Sequence, residues 1–313
     1  MAIVTNTALT YDTIDVSTEE HLSKVFDVIS PVDTFFWSAI GKFSETPKSD
    51  KMEWLTRVLA AAAANAAVEG DQRTPAALTA STRVYNKHQI QYKTFLISAS
   101  QEQTASPKNV NSEAYNVAEQ MKLLAQDVEF AAWRGVRADG SSTVAREMRG
   151  ALNWMRTNVD MGANATLNAD GTVTGGTARA LDISHIRNLM QNIYVAGGKG
   201  DKLYCAPFQA TKISGFAGVG NYRRTLEKGK LEDYVDIYVN EFGKTEVIVH
   251  RNFPTNVVAI MDLTHWKKSI WRPIKKEYVP TSADGKMVDL RTEHTLIANA
   301  EASSGRIVDL LTQ

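Results

Sequence analysis

Hydrophobic and polar residues mix at a period of two along residues 51–59 and 82–98, and this pattern predicts two β-strands. In the first strand, Met52, Trp54 and Thr56 share one face. The second strand would reach roughly 50 Å at about 3.3 Å per residue. A two-stranded arm of that length is marginally stable alone in water. We therefore expect the arm to lie on a neighbouring subunit, which favours an assembly unit over a catalyst.

Residues 60–80, between these strands, show neither a helix period nor a strand period. Alanine fills most of the first part, and Asn65, Gly70 and Pro75 interrupt the segment. We interpret it as the tip of the arm, shaped by contact with a neighbour. The alternative is an alanine-rich helix packed on the body of the molecule.

Apolar residues at spacings of three and four predict helices, of which the clearest covers residues 113–134, with Asn111 or Ser112 as its N-cap and Gly135 at its end. Its apolar stripe is Val117, Met121, Leu124, Ala125, Val128 and Ala132, whereas Lys122, Gln126 and Glu129 lie off the stripe. Four further helices are predicted. The first begins at Ser17, with Glu20 in a capping box, and ends at Pro31, and the second covers residues 35–40 after a cap at Asp33 or Thr34. The third follows the cap Asp182 and has the apolar stripe Ile183, Ile186, Leu189, Met190 and Ile193, and the fourth covers residues 208–213.

Strands alternate with helices in the second half of the chain. The predicted strands are residues 202–206, 234–239, 246–250, 257–261, 268–271, 287–300 and 306–311. Strands 234–239 and 246–250 form a hairpin around Phe242 and Gly243. Residues 158–177, dense in Gly, Asn, Thr and Asp, predict a loop or an exposed hairpin and are the best candidate domain boundary.

The amino-acid composition of the chain limits the classes of protein to which it could belong. The chain has 313 residues, enough for one large or two modest domains. Its 35 Lys and Arg balance 35 Asp and Glu, which argues against a protein whose main task is to hold nucleic acid through a basic field. Cys205 is the sole cysteine, so no disulfide can form within the chain. We find no signal-peptide pattern and no membrane-spanning run, and we expect no membrane partner.

A search for catalytic chemistry finds no motif. The histidines are scattered without ligand spacing, and no G-x-S-x-G sequence occurs. The glycine-rich residues 196–202 lack the spacing of a phosphate loop and follow a helix, which favours a helix cap and turn. We therefore predict no catalytic, cofactor-binding or metal-binding residue, and no enzyme activity.

Two basic clusters could contact nucleic acid: Arg223, Arg224, Lys228 and Lys230; and Lys267, Lys268, Arg272, Lys275 and Lys276 beside Trp266 and Trp271. Single strands bind such clusters by stacking. Because the net charge is zero and acidic residues are interspersed, a solvated or intersubunit face is favoured.

Short stretches that match a known protein family are spread over almost the whole chain. They are residues 29–31, 36–42, 59–70, Asn86 with Gln89 and Ile90, 127–131, 212–218, 238–243, Trp266 with 271–273, and 301–310. In this order and spacing they resemble the tailed-phage major capsid proteins of the Hong Kong 97 fold, in the branch typified by the major head protein of phage SU10. The resemblance implies an α+β fold with these parts: an N-arm, 1–45; an extended β-hairpin called the E-loop, 46–98; a P-domain, 99–179, with a spine helix at 113–134; an A-domain, 180–275; and a return to the P-domain, 276–313.

The resemblance also implies a function. Hexamers and pentamers would close into an icosahedral shell around double-stranded DNA, within a virion assembled in the host cytoplasm. A separate scaffolding protein and a portal would be partners, and a decoration protein is a further candidate. Candidate contacts of the E-loop with the adjacent subunit are Trp54, Asn65, Glu69, Arg73 and Tyr85, and candidates at the capsomer centre are Phe216, Arg223 and Arg224.

The chain departs from the family's namesake, which cross-links its shell through an E-loop lysine. No lysine occurs between Met52 and Asn86, so we expect a non-covalent shell. Only about 16 residues precede the first predicted helix, which implies a separate scaffolding protein or prior cleavage. The rival hypotheses are an encapsulin-type compartment, a tail or connector protein, and a soluble α/β enzyme with its site in residues 195–220.

Overall fold

The computed structural model of the protein describes residues 34–70, 72, 75, 77–103, 113–216 and 237–312. Its helices are α1 (Phe35–Ala39), α2 (Ala99–Gln103), α3 (Glu113–Arg134), α4 (Ala151–Trp154), α5 (Ile183–Val195) and α6 (Pro207–Ser214). Its strands are β1 (Gly41–Lys42), β2 (Lys51–Thr56), β3 (Thr82–Lys87), β4 (Gln89–Ser98), β5 (Asn158–Asp160), β6 (Thr166–Leu167), β7 (Val173–Thr174), β8 (Lys202–Cys205), β9 (Ile237–Asn240), β10 (Gly243–Val249), β11 (Val258–Met261), β12 (Trp266–Val279), β13 (Gly285–Ala298) and β14 (Gly305–Ile307). The predicted helix that begins at Ser17 lies outside the described residues.

Two larger sheets organise the described chain. One has four strands in the order β1-β12-β13-β4, and the other has six in the order β5-β14-β11-β8-β10-β9. The pairs β2-β3 and β6-β7 form small separate hairpins. The predicted A-domain boundary at residue 275 falls inside β12, which runs unbroken from Trp266 to Val279. None of the described helices combines the length and the apolarity that a membrane crossing requires.

Helix α5 packs on the six-stranded sheet as its sequence predicts. Ile186, Leu189, Met190 and Ile193 are buried in one cluster with side chains of β8, β10 and β11. Asp182 caps the helix by accepting a hydrogen bond from the Ser184 backbone N–H. The predicted hairpin around Gly243 is confirmed as β9 and β10.

Helix α3 has the predicted bounds, but its buried face differs from the predicted stripe. Met121 is 38% exposed, and burial is confined to the second half, where Ala132 and Trp133 join the core. Glu129, predicted to lie off the stripe, is buried. The reason is tertiary: α1 packs against this half of α3, and Glu129 faces the start of α1.

The prediction of one continuous strand over residues 82–98 is wrong. His88 interrupts it: β3 pairs with β2, whereas β4 pairs with β13 in the molecule's own sheet. The His88 backbone N–H donates to the Asp50 carbonyl oxygen, and its side chain is buried. Only the β2-β3 hairpin and its tip therefore remain as a candidate arm, since β4 is hydrogen-bonded to β13 of its own chain.

Candidate intersubunit surface

The base of the E-loop hairpin is fixed to the body by two aromatic side chains. Trp54 Nε1 donates to the Ala298 carbonyl oxygen at 3.0 Å, and its ring lies 5.4 Å from that of Trp154. The Tyr85 hydroxyl donates to the Asp139 carboxylate at 3.3 Å, with a cation from Arg137 over the ring. Both residues were predicted to contact another subunit. The structure gives them partners in their own chain, and a role between subunits stays a prediction.

Asn86 is the polar centre of this base, and sequence analysis assigned it no role beyond the family motif. Its Nδ2 donates to the carbonyl oxygens of Arg149 and Leu296, at 3.1 and 2.8 Å. Its Oδ1 accepts from the backbone N–H groups of Lys87 and Arg149. A buried amide with all these partners holds β3 against two other segments of the chain.

A charged pair closes the junction between β3 and β4. Lys87 Nζ lies 2.5 Å from Asp50 Oδ2, and the hydrogen bond from Lys87 lowers the pKa of the Asp50 carboxyl. Next to it, burial lowers the pKa of His88, whose ring lies 5.5 Å from that of Trp271. The junction is thus built from packed side chains of the same chain.

A buried glutamate, Glu293, lies in the four-stranded sheet beside this junction. Glu293 on β13 forms ion pairs with both Arg146 and Arg272. Its neighbour His294 is buried against Trp37, and burial lowers the pKa of His294 to about 3. Because Glu293 has two cationic partners, its burial leaves no uncompensated negative charge.

The tip of the E-loop is exposed. Residues 57–68 form neither helix nor strand, so the alternative of an alanine-rich helix on the body is wrong for this part of the tip. Asn65 and Glu69 are exposed there, and Leu59 is 83% exposed. Arg73 lies outside the described residues. The tip presents apolar side chains to solvent without cover from the described part of its own chain.

The remaining candidate residues fall in two places. Phe216, after α6, packs partly buried against the core under α5. Arg223 and Arg224 lie outside the described residues, as do the other members of their basic cluster. In the second basic cluster, Lys276 forms an ion pair with Glu113, and Lys268 donates to the Trp37 carbonyl oxygen.

The aromatic members of that second cluster also have partners within the chain. Trp266 is buried, and its Nε1 donates to Ser304 Oγ at 2.9 Å. Trp271 lies beside His88, as described above. These contacts disfavour a stacking site for single strands.

The described residues offer no evident centre for metal or nucleophilic chemistry. Within those ranges, no group of three or more His, Cys, Asp or Glu side chains could hold a metal ion. Burial raises the pKa of the Cys205 thiol to about 12, so it is not a reactive thiolate. Gly197, with φ of +89°, ends α5 and leads into a turn, as predicted for the glycine-rich segment.

The comparison with protein families covers nearly the whole chain. Residues 3–311 match the model of the SU10 major capsid protein family. The chain belongs to this family. A sequence search of curated proteins gives no match.

Solved capsid structures share the fold at low sequence identity. The cyanophage A-1(L) capsid subunit is 13% identical, with a TM-score of 0.67, over 97% of this chain and 100% of that one. The bacteriophage PhiM1 mature capsid subunit is 12% identical, with a TM-score of 0.62, over 98% and 95%. A chain of the satellite phage P4 procapsid is 12% identical, with a TM-score of 0.52, over 85% and 84%.

Family and fold together identify the class of protein. The chain is a major capsid protein of a phage shell, with the Hong Kong 97-type capsid fold. This result supports the capsid hypothesis over the encapsulin, connector and soluble-enzyme alternatives.

Proposed function

We propose that this capsid protein assembles into hexamers and pentamers that close into an icosahedral shell around double-stranded DNA. The observation that carries the proposal is the exposed apolar tip of the E-loop, Val58 to Val68, on a hairpin whose base is fixed to the body. A rigid base with an uncovered tip is suited to reach over an adjacent subunit. Several such contacts per subunit, repeated around a closed shell, give high collective stability.

The proposed division of labour follows the family. Within the E-loop (46–98), the β2-β3 hairpin and its tip would bind neighbours, as would the part of the N-arm (1–45) that precedes α1. The P-domain (99–179 and 276–313) would form the wall, and the A-domain (180–275) would meet its copies at the capsomer centre. Phe216, Arg223 and Arg224 are the proposed contacts at that centre. Asn65, Glu69 and Arg73 are the proposed contacts of the E-loop tip.

Further partners belong to the same proposal. A scaffolding protein and a portal would act during assembly in the host cytoplasm, with a decoration protein as a further candidate, and no cofactor or enzyme activity is needed. The satellite phage P4 procapsid, which has a similar fold, includes a size determination (Sid) protein, and this supports a separate assembly factor. Packaged double-stranded DNA would be a non-specific partner, and the balanced charge of the chain is compatible with an inner wall that does not hold the DNA tightly.

The purified protein provides the test. We expect particles or capsomers that elute near the void volume in size-exclusion chromatography and that electron microscopy resolves as closed shells. Elution only as a monomer or small oligomer, with and without a crowding agent and a co-expressed scaffolding protein, would contradict the proposal.

The shell should be held by non-covalent contacts. No lysine lies between Met52 and Asn86, and Lys87 at the base is paired with Asp50. Particles boiled in denaturing detergent should therefore run as a single monomer band. A ladder of heavier bands that survives boiling and reductant would contradict this expectation.

A further inference from the structure

Three arginines before and after helix α4 form a group here called the arginine cluster: Arg137, Arg149 and Arg156. Arg149 is 7% exposed, and its Nε has no hydrogen-bond partner in the described part of the chain. Its Nη2 makes one long hydrogen bond, at 3.4 Å, to the Ala169 carbonyl oxygen. Among the described residues no carboxylate forms an ion pair with it. A buried guanidinium without a counter-ion is costly, so the site favours a bound anion.

The other two arginines of the cluster add like charge beside Arg149. Arg137 is half-buried, and Arg156 is exposed. Burial lowers the pKa of Arg149, and the positive charges of Arg137 and Arg156 lower it further. Within the described ranges, neither of these two arginines forms an ion pair. Arg149 is therefore repelled by both neighbours, and an anion bound among the three would relieve that repulsion.

Aromatic rings hold these cations in place without neutralising them. The Arg137 guanidinium lies 4.3 Å from the centre of the Tyr85 ring, and Lys51 Nζ lies 5.1 Å from the same centre. The Arg149 guanidinium lies 5.0 Å from the centre of the Trp154 ring. Contacts of this kind orient a cation and leave its charge in place. Lys51 thus adds a fourth cation beside the arginine cluster.

Three acids border the cluster, and each is held by other donors. Asp139 accepts from the Tyr85 hydroxyl at 3.3 Å, Asp170 accepts from the Thr172 backbone N–H and hydroxyl at 2.8 and 2.7 Å, and Glu301 accepts from the Arg156 and Thr157 backbone N–H groups at 2.9 and 3.3 Å. In the described chain none of the three pairs with a guanidinium of the cluster. Four cations against three acids leave one positive charge in excess.

The backbone around the cluster is closely packed, which fixes where the arginines lie. The Gly150 N–H donates to the Gly135 carbonyl oxygen at 2.9 Å, and a Cβ on Gly135 would lie 2.3 Å from the Met148 carbonyl oxygen. The Arg149 backbone N–H donates to Asn86 Oδ1 at 2.8 Å. A ligand would therefore meet a preorganised site and would cost little ordering of the chain.

We propose that the arginine cluster, together with Lys51, binds a phosphate group, supplied by free inorganic phosphate or by the backbone of DNA. A phosphate carries several acceptor oxygens and so can bond more than one guanidinium fork at once, which chloride and a single carboxylate cannot do as well. Because Lys51 belongs to β2 and the arginines to the segments around α4, the bound group would also tie the E-loop hairpin to the body.

Protection from phenylglyoxal, which modifies accessible arginines, tests the site in the purified, unassembled subunit. With inorganic phosphate at about twice its dissociation constant, modification of Arg137 and Arg156 should slow about threefold, as mass spectrometry of each site measures. Arg83 is the internal control, because it is exposed on the same hairpin and paired with Glu53, and its rate should not change. Chloride and acetate at equal ionic strength should protect none of the three.

A variant gives a second readout. Arg156→Gln changes an exposed side chain, so the subunit should fold as the wild type does in chloride. Its affinity for inorganic phosphate, measured by titration calorimetry, should fall about tenfold. Arg83→Gln is the matched control and should keep the wild-type affinity. Phosphate should slow amide hydrogen exchange in β2 and β3 of the wild type, and do so far less in Arg156→Gln.

A DNA duplex of about one helical turn, roughly 10 base pairs, distinguishes the two sources of phosphate. Protection by the duplex at a lower phosphate concentration than inorganic phosphate requires would assign the site to the DNA backbone. The opposite order would assign it to free phosphate, and either result supports the proposal.

Four results would overturn the phosphate site. They are unchanged rates in phosphate, equal protection by chloride or acetate, equal loss of affinity in Arg83→Gln, and arginines that are unreactive before phosphate is added, which would show that another part of the chain covers them. All of these measurements use the unassembled subunit, so the proposed shell function stands or falls separately.

Discussion

At the scale of single residues, Glu129 decides how helix α1, in the C-terminal part of the N-arm, is held. Its carboxylate accepts from the backbone N–H groups of Phe36 and Trp37, at 3.0 and 2.8 Å, and from Trp133 Nε1 at 3.0 Å. Thr34, an expected cap of α1, makes no side-chain capping bond. An acid distant in sequence therefore satisfies the free N–H groups of a short helix.

Replacing this acid should destabilise the subunit. Glu129→Gln replaces one acceptor oxygen with a donor facing other donors, and we expect a loss of about 2–3 kcal/mol in the free energy of unfolding. Urea denaturation of the unassembled subunit measures it. The exposed Glu119→Gln on the same helix should change stability by less than about 0.5 kcal/mol, and equal effects of the two variants would contradict the assignment.

His294 makes the stability of the fold depend on acid. Its pKa is about 3 in the folded chain because of burial, against a usual 6.5. Above pH 6.5 the histidine is neutral in both states and contributes no pH dependence. Below pH 6.5, His294 binds a proton in the unfolded chain but stays neutral in the folded chain. The free energy of unfolding therefore falls as the pH drops from 6.5 towards 3, by about 2 kcal/mol at pH 5.

A variant isolates this effect. His294→Gln cannot titrate, so the difference in unfolding free energy between pH 7 and pH 5 should shrink by about that amount in urea titrations. The buried His88, whose pKa is also lowered, should leave part of the acid sensitivity in place. An unchanged difference between the two pH values would show that His294 is not the group responsible.

At the scale of elements, the E-loop hairpin and the sheet are joined through Asn86. Asn86→Ala would leave buried carbonyl and N–H groups of Arg149, Lys87 and Leu296 without their partner. We expect a loss of about 2–4 kcal/mol and faster amide hydrogen exchange in β2 and β3. Exchange measured by mass spectrometry gives the local readout.

The control for this variant lies on the same loop. Asn65→Ala removes the same side chain at the exposed tip and should leave the exchange of β2 and β3 unchanged. If Asn86→Ala speeds exchange equally throughout the chain, Asn86 would act on global stability and not on the hairpin.

At the scale of the whole molecule, the surface that we propose for assembly is separate from the buried core. Two buried clusters support the fold: one is an aromatic core around Phe36, Trp133, Tyr204 and Trp266, and the other lies under α5. The E-loop tip contributes to neither cluster. A change at the tip should therefore affect the shell and leave the subunit intact.

Leu59→Asp tests this separation. The side chain is exposed in the subunit, so the free energy of unfolding should change by less than about 0.5 kcal/mol. Particle yield in sedimentation should fall at least about tenfold, because a charge enters an apolar contact. Val144→Asp, an exposed valine on another loop, should assemble normally. Wild-type yield from Leu59→Asp would contradict a role for the tip in assembly.

The sequence by itself determined the elements whose signals are local. The bounds of α3, the Asp182 cap and stripe of α5, and the β9-β10 hairpin follow from periods, caps and turn residues close together in the chain. The sequence also indicated the protein family, because many short stretches match the family in the same order.

Only the tertiary structure decided which strands pair with each other and which polar side chains are buried. Polar and apolar residues are mixed throughout 82–98, so nothing local marks His88 as the point where pairing passes from β2 to β13. Glu129 has a surface pattern on its own helix and is buried because α1 docks there. Strand pairing and burial depend on contacts between segments far apart in the chain, and the local sequence pattern does not indicate those contacts.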